Sequence, residues 1–233
     1  MKFLSHLAQL AFFGTDLHYY QNGRKGIHTV EGSLVLGHEA SDDIIAVGST
    51  VACFKVGDRV VFEPQLSCLS CKRCRSGRYN LCNTMRFNGS ASADPPAQGS
   101  LQKVLNHPPS LVYHLPDELR LNGDELVEPL SVALHSVRKA RLEAGQTVLI
   151  TEAGAIGSLR ARMAKTLGAS SVTMMDVDAD RLKFAMEQGF ANGTVQIPFH
   201  KEEGESGEQS IAHEWRRMCT DSNYYLSILL ECN

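Results

Sequence analysis

Cys68, Cys71, Cys74 and Cys82 fall within fifteen residues, separated by two, two and seven others. Four thiolates at that spacing can close a tetrahedral shell around a zinc ion. A shell filled by protein leaves no open position, which marks a structural ion rather than a catalytic one. The two-residue gaps let one loop wrap the ion with backbone amides directed at the sulfurs. Lys72, Arg73, Arg75 and Arg78 surround the cluster and would offset the negative charge of a zinc tetrathiolate. The first three cysteines also match the opening of a bacterial ferredoxin run, but that run places its fourth cysteine about three residues on and follows it with proline. Here the gap is seven and Asn83 follows, so zinc is the better reading. The remaining three of the seven cysteines, Cys53, Cys219 and Cys232, stand apart and read as small buried hydrophobes.

A second chemistry-bearing stretch is Glu152-Ala153-Gly154-Ala155-Ile156-Gly157, which follows a short apolar run, Thr147–Ile150. A glycine-rich turn between a strand and a helix brings backbone amides and a helix N-terminus against a pyrophosphate. Gly154 suits close backbone approach, and Gly157 suits helix–strand packing. The first glycine of the G-x-G-x-x-G pattern is replaced by Glu152, whose carboxylate repels a pyrophosphate unless it points away. Asp176 ends the next apolar run nineteen residues after Gly157. An acid there bonds a ribose 2′-hydroxyl and favours NAD over its 2′-phosphorylated form.

The elements that must hold these groups differ along the chain. Up to about residue 143, short apolar runs such as Val51–Phe54 and Arg59–Phe62 alternate with Gly, Pro, Asn and Asp turns, as in an all-β or barrel-like region. Residues 88–99 are small, polar and Pro-rich and read as a loop. From about residue 144 the pattern becomes strand (147–150), helix (158–167), strand (171–176), helix (181–188), with weaker strands at 194–197 and 226–230, the order of a parallel α/β sheet. Residues 201–209 read as a charged surface loop.

Composition is that of an ordinary globular chain, 43% hydrophobic and 21% charged with net charge −3, which argues against a nucleic-acid binder. No apolar run approaches the ~20 residues of a membrane span. The apolar start, Met1–Phe13, is broken by His6 and Gln9 and lacks a small-x-small cleavage site. It reads as a strand or helix fragment rather than a signal peptide, and a reduced, cytoplasmic chain is expected.

The cysteine spacing, together with Gly37-His38-Glu39, Val56-Gly57-Asp58-Arg59-Val60, Glu128-Pro129-Leu130 and the turn Ala153–Gly157, resembles the zinc-dependent medium-chain dehydrogenases. Glu128 points to the sorbitol, xylitol and L-arabinitol dehydrogenase branch. The resemblance covers roughly residues 13–233. It implies a GroES-like β-barrel catalytic domain over residues 1–143, shortened at its N-terminus, and an incomplete Rossmann doubly wound parallel sheet over residues 144–233. The chain thus reads as a truncated or divergent member, with four strand candidates where a full dinucleotide-binding sheet has six.

The resemblance further implies a hydride transfer from a sugar alcohol to NAD, giving a ketose, assisted by a second, catalytic zinc. His38 and Glu39 match ligands of that ion, and Glu128 matches a residue touching its bound water or the substrate. Thr15 and Tyr19 match hydroxyls that relay a proton or meet the substrate, and Ile156 and Arg181 match positions bordering the adenosine end of the cofactor. Relatives associate through the cofactor domain, which implies a homo-oligomer. Two residues depart from the family pattern. Phe13 stands where the family has a cysteine ligand to the catalytic zinc, and Glu152 replaces the first glycine of the cofactor loop. These departures keep open an alternative, an inactive relative that retains the structural zinc alone.

Overall fold

The computed structural model describes residues 3–11, 13–119, 123–197 and 228–230. It divides into two compact units, Met1–Glu128 and Pro129–Asn233. The loop at 201–209 and the cysteines Cys219 and Cys232 lie outside the described residues. Among the described residues no helix is long and apolar enough to cross a membrane.

The first unit is built on an antiparallel sheet whose strands are β1 (Phe3–Ala11), β2 (Glu39–Val47), β3 (Arg59–Phe62), β4 (Val104–His107) and β5 (Val112–His114). Their order is β4-β1-β2-β3-β5. The stretch that precedes Gly14 is therefore a strand inside the sheet, paired with β2 from Phe3↔Val47 to Ala11↔Glu39 and with β4 from Phe3↔His107 to His6↔Val104. Strands β4 and β5 are edges that do not pair with one another, so the sheet stays open instead of closing into the expected barrel. The run Val51–Phe54 carries no ladder hydrogen bonds and is not a strand, and Cys53 is exposed rather than buried. Polar Gly48–Thr50 before it and the Lys55–Asp58 turn after it leave too few residues to form a paired strand. One face of the sheet packs Ala40, Ile44, Val60, Phe62, Leu105 and Val112 together.

His107 is 1% exposed, packs against the Phe62 ring and sits with Nε2 3.0 Å from the Glu63 carbonyl oxygen. Burial dominates its titration and pushes its pKa down to about 4.

The second unit holds a parallel sheet of β6 (Thr147–Thr151), β7 (Ser171–Asp176), β8 (Gly193–Gln196) and β9 (Ile228–Leu230), in the order β8-β7-β6-β9. Parallel neighbours need crossovers, and helices at Ala155–Thr166 and Ala179–Glu187 supply two of them. Each begins within three residues of its sequence expectation. Alternate strand residues point to opposite faces. Val148, Ile150, Val172 and Met174 pack with Ala161, Ala164, Leu182 and Ala185 from the helices, while Leu149, Met175 and Ile197 cluster on the other face. The helix at Val127–Lys139, which sequence reading passed over, begins with Glu128 in its first turn and ends with Arg138 and Lys139, charges that complement the helix dipole. Its Val137 is fully buried in the core of the second unit.

Gly157 is required by packing. A Cβ built there would lie 1.9 Å from the Glu152 carbonyl oxygen, whereas one at Gly154 would meet nothing within 4 Å. Gly157→Ala is thus expected to destabilise the protein by about 1–3 kcal/mol in urea unfolding, with Gly154→Ala within about 0.5 kcal/mol of wild type. Equal effects of the two would contradict the packing. For His107, an imidazole whose pKa falls on folding binds its proton more readily in the unfolded chain. Its contribution is complete above pH ~6.5 and drains away as the pH drops toward 4. The stability gap between wild type and His107→Phe should shrink by up to about 3 kcal/mol across that window. A gap independent of pH would show that His107 is not buried as a neutral ring.

Candidate metal centre and cofactor loop

The sulfurs of Cys68, Cys71, Cys74 and Cys82 all lie within 4.8 Å of one another. Cys71 and Cys74 are 3.5 Å apart and Cys68 and Cys74 3.9 Å apart. A tetrahedral zinc with Zn–S bonds of about 2.3 Å sets neighbouring sulfurs about 3.8 Å apart, so the donors fit that ion. The backbone holds them there. The amides of Cys71, Cys74 and Cys68 donate to the sulfurs of Cys68, Cys71 and Cys82 at 3.3, 3.5 and 3.4 Å. A one-turn helix, Lys72–Arg75, starts at Cys71 and returns Cys74 to its neighbours, and a 3-10 turn at Tyr79–Leu81 delivers Cys82.

Local hydrogen bonding and crowding pull the thiols in opposite directions. Hydrogen bonds from Ser70, then from the Cys71 amide, hold Cys68 down at about 5. The Cys68 amide and the Thr84 hydroxyl lower Cys82. Burial, and then the neighbouring sulfurs, push Cys74 up to about 11. Four thiols this close cannot all ionise without a cation among them.

His38 and Glu39 lie beside Asp16, which sequence reading left without a role. Asp16 is fully buried on the helix α1 (Gly14–Asn22). One carboxylate oxygen accepts from the Phe13 amide at 3.1 Å, and the other accepts from the Gly37 amide at 2.9 Å. It thereby ties the start of α1 to the strand-entry segment carrying His38 and Glu39. Backbone bonds from Gly99, Leu101 and Ser100 to Val35, Leu36 and Gly37 hold that segment from the other side. A Cβ at Gly99 would fall 2.3 Å from the Leu36 carbonyl, so only glycine allows the approach.

Burial raises the Asp16 pKa, but His38 and the Gly37 and Phe13 amides outweigh it and the net direction is down. His38, 5% exposed, has Nδ1 3.7 Å from an Asp16 oxygen, beyond hydrogen-bond reach. Burial disfavours its charged form, yet Asp16, Glu128 and Glu39 together leave its pKa raised. Burial, then the charge of Glu128, pushes Glu39 up to about 7. Glu128 is raised by burial as well.

His38, Glu39 and Glu128 therefore share one buried electrostatic environment. The position ahead of Gly14 adds no donor to it: the Phe13 ring meets His38 edge-on at a centroid distance of 6.2 Å, and Phe87 packs on His38 at 5.1 Å. Among the described residues, the four cysteines are the one group of three or more His, Cys, Asp and Glu whose ligand atoms converge. His38, Glu39 and Glu128 are not part of that group. Thr15 and Tyr19 are engaged elsewhere on α1. Lys25 Nζ donates to Thr15 Oγ1 at 2.9 Å. The buried Tyr19 hydroxyl accepts from the Ala91 amide at 3.2 Å and lies 3.3 Å from Ser90 Oγ.

In the second unit, the Ala155–Thr166 helix starts at Gly154 with no side chain capping it, which leaves its first amides free for an anion. Ile156 sits in the first turn, half-buried. Asp176 is buried at the end of β7, accepting from the Ala153 amide at 2.6 Å and the Asp178 amide at 2.9 Å, so it braces the loop from below. Arg181 lies 4.0 Å from Asp176 and 3.6 Å from Asp178. Glu152 occupies the left-handed region at φ 70°, a conformation glycine adopts without strain.

Residues 6–117 match the alcohol dehydrogenase GroES-like domain family. The chain is 43% identical over 172 residues to a probable D-xylulose reductase A of Aspergillus fumigatus, covering 74% of this chain and 47% of that protein. It is 40% identical over 176 residues to a sorbitol dehydrogenase of Bacillus subtilis, covering 76% and 49%. Among solved structures, the L-idonate 5-dehydrogenase of Escherichia coli superposes with a TM-score of 0.78 at 30% identity, over 89% of this chain and 57% of that one. The chain spans about half the length of the curated relatives it matches. With the four-sulfur knot, the GroES-like sheet and the parallel cofactor-type sheet in that order, the chain belongs to the zinc-binding medium-chain dehydrogenase/reductase family related to the sorbitol and xylitol dehydrogenases.

Proposed function

We propose that this chain is an NAD-linked oxidoreductase of the polyol dehydrogenase type, oxidising a sugar alcohol such as sorbitol, xylitol or L-arabinitol to a ketose, with a structural zinc ion at Cys68, Cys71, Cys74 and Cys82. The observation that carries this reading is the cluster of buried Asp16, His38 and Glu39 with half-buried Glu128, the last three lying in the family's sequence motifs. Bound NAD would supply the hydride acceptor. The free amides at the start of the Ala155–Thr166 helix would receive its pyrophosphate, with Asp176 and Arg181 bordering the ribose. A reduced, cytoplasmic setting keeps the four thiols available to the metal, and association with a second copy through the cofactor unit follows the family habit.

Phe13 favours a second reading, a catalytically impaired relative that keeps the structural zinc alone. An aromatic ring has no lone pair to give a metal, and losing one of three protein ligands weakens such a site by orders of magnitude.

Metal counting combined with NADH absorbance separates the two. Purified protein is expected to hold one zinc per chain, to lose it to a strong chelator together with the fold of the 68–82 lobe, and to reduce NAD slowly with at least one of the three polyols. Phe13→Cys is expected to raise both numbers: zinc toward two per chain, and turnover by about tenfold or more. No NADH from either protein on any of the polyols would leave the impaired relative as the correct reading. A wild-type chain holding no zinc would remove the structural site.

A further inference from the structure

Beside α1 lies a cleft of about 710 Å³, lined by His18, Asn22, Arg24, Lys25 and Gly26. Thr15, His18 and Asn22 are spaced by three and four residues, which sets them on one face of that helix. Gly23 closes α1 in the left-handed conformation at φ 65°, its amide donating to the Tyr19 carbonyl at 3.0 Å. Its own carbonyl accepts from the Val30 amide at 2.9 Å. A short hairpin follows, with Arg24 paired to Thr29 and Lys25 to His28, so both cations stand on backbone fixed against the helix end. Lys25 Nζ donates to Thr15 Oγ1 at 2.9 Å, which joins the cleft to the first turn of α1, one residue before Asp16. An ammonium has three donors, and Thr15 takes one of them.

The charge of this cleft is one-sided. Residues 17–30 contain no Asp or Glu, in a chain whose net charge is −3. Among the described residues no carboxylate pairs with His18, Arg24 or Lys25. The carbonyl end of α1 carries about half a negative charge, so two full cations beside it leave a surplus. We propose, on the polyol reading given above, that the cleft binds the phosphate of a sugar-alcohol phosphate, which makes the substrate a phosphorylated polyol rather than a neutral one. A phosphate monoester brings three acceptor oxygens and close to two negative charges. The Arg24 fork, the remaining Lys25 donors and the side chains of His18 and Asn22 match them in number and sign. The volume lies within the roughly 300–1,000 Å³ of small-ligand clefts. A neutral polyol would leave both cations without a counter-charge.

The test is calorimetric titration of the full chain with sorbitol 6-phosphate, sorbitol and inorganic phosphate, repeated on the double variant Arg24→Gln with Lys25→Gln. Both substituted side chains are exposed, so the fold should hold, and matching unfolding curves check that it does. Wild type is expected to bind sorbitol 6-phosphate about tenfold more tightly than sorbitol, with inorganic phosphate competing against the ester. In the double variant that advantage should fall to about twofold or less. It should also shrink in wild type as salt is raised, because charges at an exposed cleft are screened over about 8 Å at physiological ionic strength. Equal affinity of wild type for the two polyols, or an advantage that survives the double substitution, overturns the proposal, and the bound sorbitol then leaves the polyol reading standing. If neither polyol binds, with or without binding of inorganic phosphate, the polyol reading falls and takes the proposal with it.

Discussion

Four sulfurs held within 4.8 Å of one another set the terms for the lobe that carries them. As thiolates they repel, and as thiols they offer weak donors to one another, so the arrangement is stable when a cation of zinc's size and charge sits among them. The lobe has little else to hold it. Neither its one-turn helix nor its 3-10 turn buries a residue, and Leu69, Tyr79 and Leu81 face solvent. Leu69 even adopts a left-handed backbone at φ 57° to turn the chain between two ligands. A segment without an apolar core must be fixed by bonds instead, and here those bonds converge on sulfur. Lys72, Arg73, Arg75 and Arg78, all exposed, lie where they balance the charge of the knot.

The rest of the first unit shows the opposite arrangement, in which buried charge is held by backbone amides rather than by metal. Asp16 accepts one amide hydrogen bond from Phe13, three residues before it, and one from Gly37, twenty-one residues after it, and so joins the start of α1 to the entry of β2. Burial raises the pKa values of Glu39 and Glu128, whereas His38, whose charged form burial disfavours, is raised by the acids around it, Asp16 first. Two aromatic rings, Phe13 and Phe87, pack against the imidazole at the centre of this cluster. The cofactor loop repeats the theme: scaffold and bracing acid are in place, and one side chain, at Glu152, differs from what the backbone there prefers.

Much of this was legible in the residues because the relevant signals are local. Cysteine spacing is a direct readout of loop geometry around an ion, and strands β6 and β7 are bounded by turn residues on both sides. Other features depend on contacts far apart in sequence. Helix α1 was missed because its face is weakly amphipathic, with Asp16 and Tyr19 its buried residues, so no apolar stripe announces it. The Val127–Lys139 helix was passed over because Glu128-Pro129-Leu130 reads as a motif, although proline in a first turn is compatible with a helix start. Val51–Phe54 has the composition of a strand but no partner to pair with. Asp16 carried no signal of its own: an acid three residues into a helix is commonplace, and its importance comes from Gly37, which only the fold brings near. The pairing that keeps the first sheet open is equally a matter of long-range register.

The measurement that bears most directly on the knot is X-ray absorption at the zinc edge of the protein as purified. The account predicts a single shell of four sulfur neighbours at about 2.3 Å, the distance of a closed tetrathiolate. A shell containing nitrogen or oxygen donors, or fewer than four sulfurs, would contradict it.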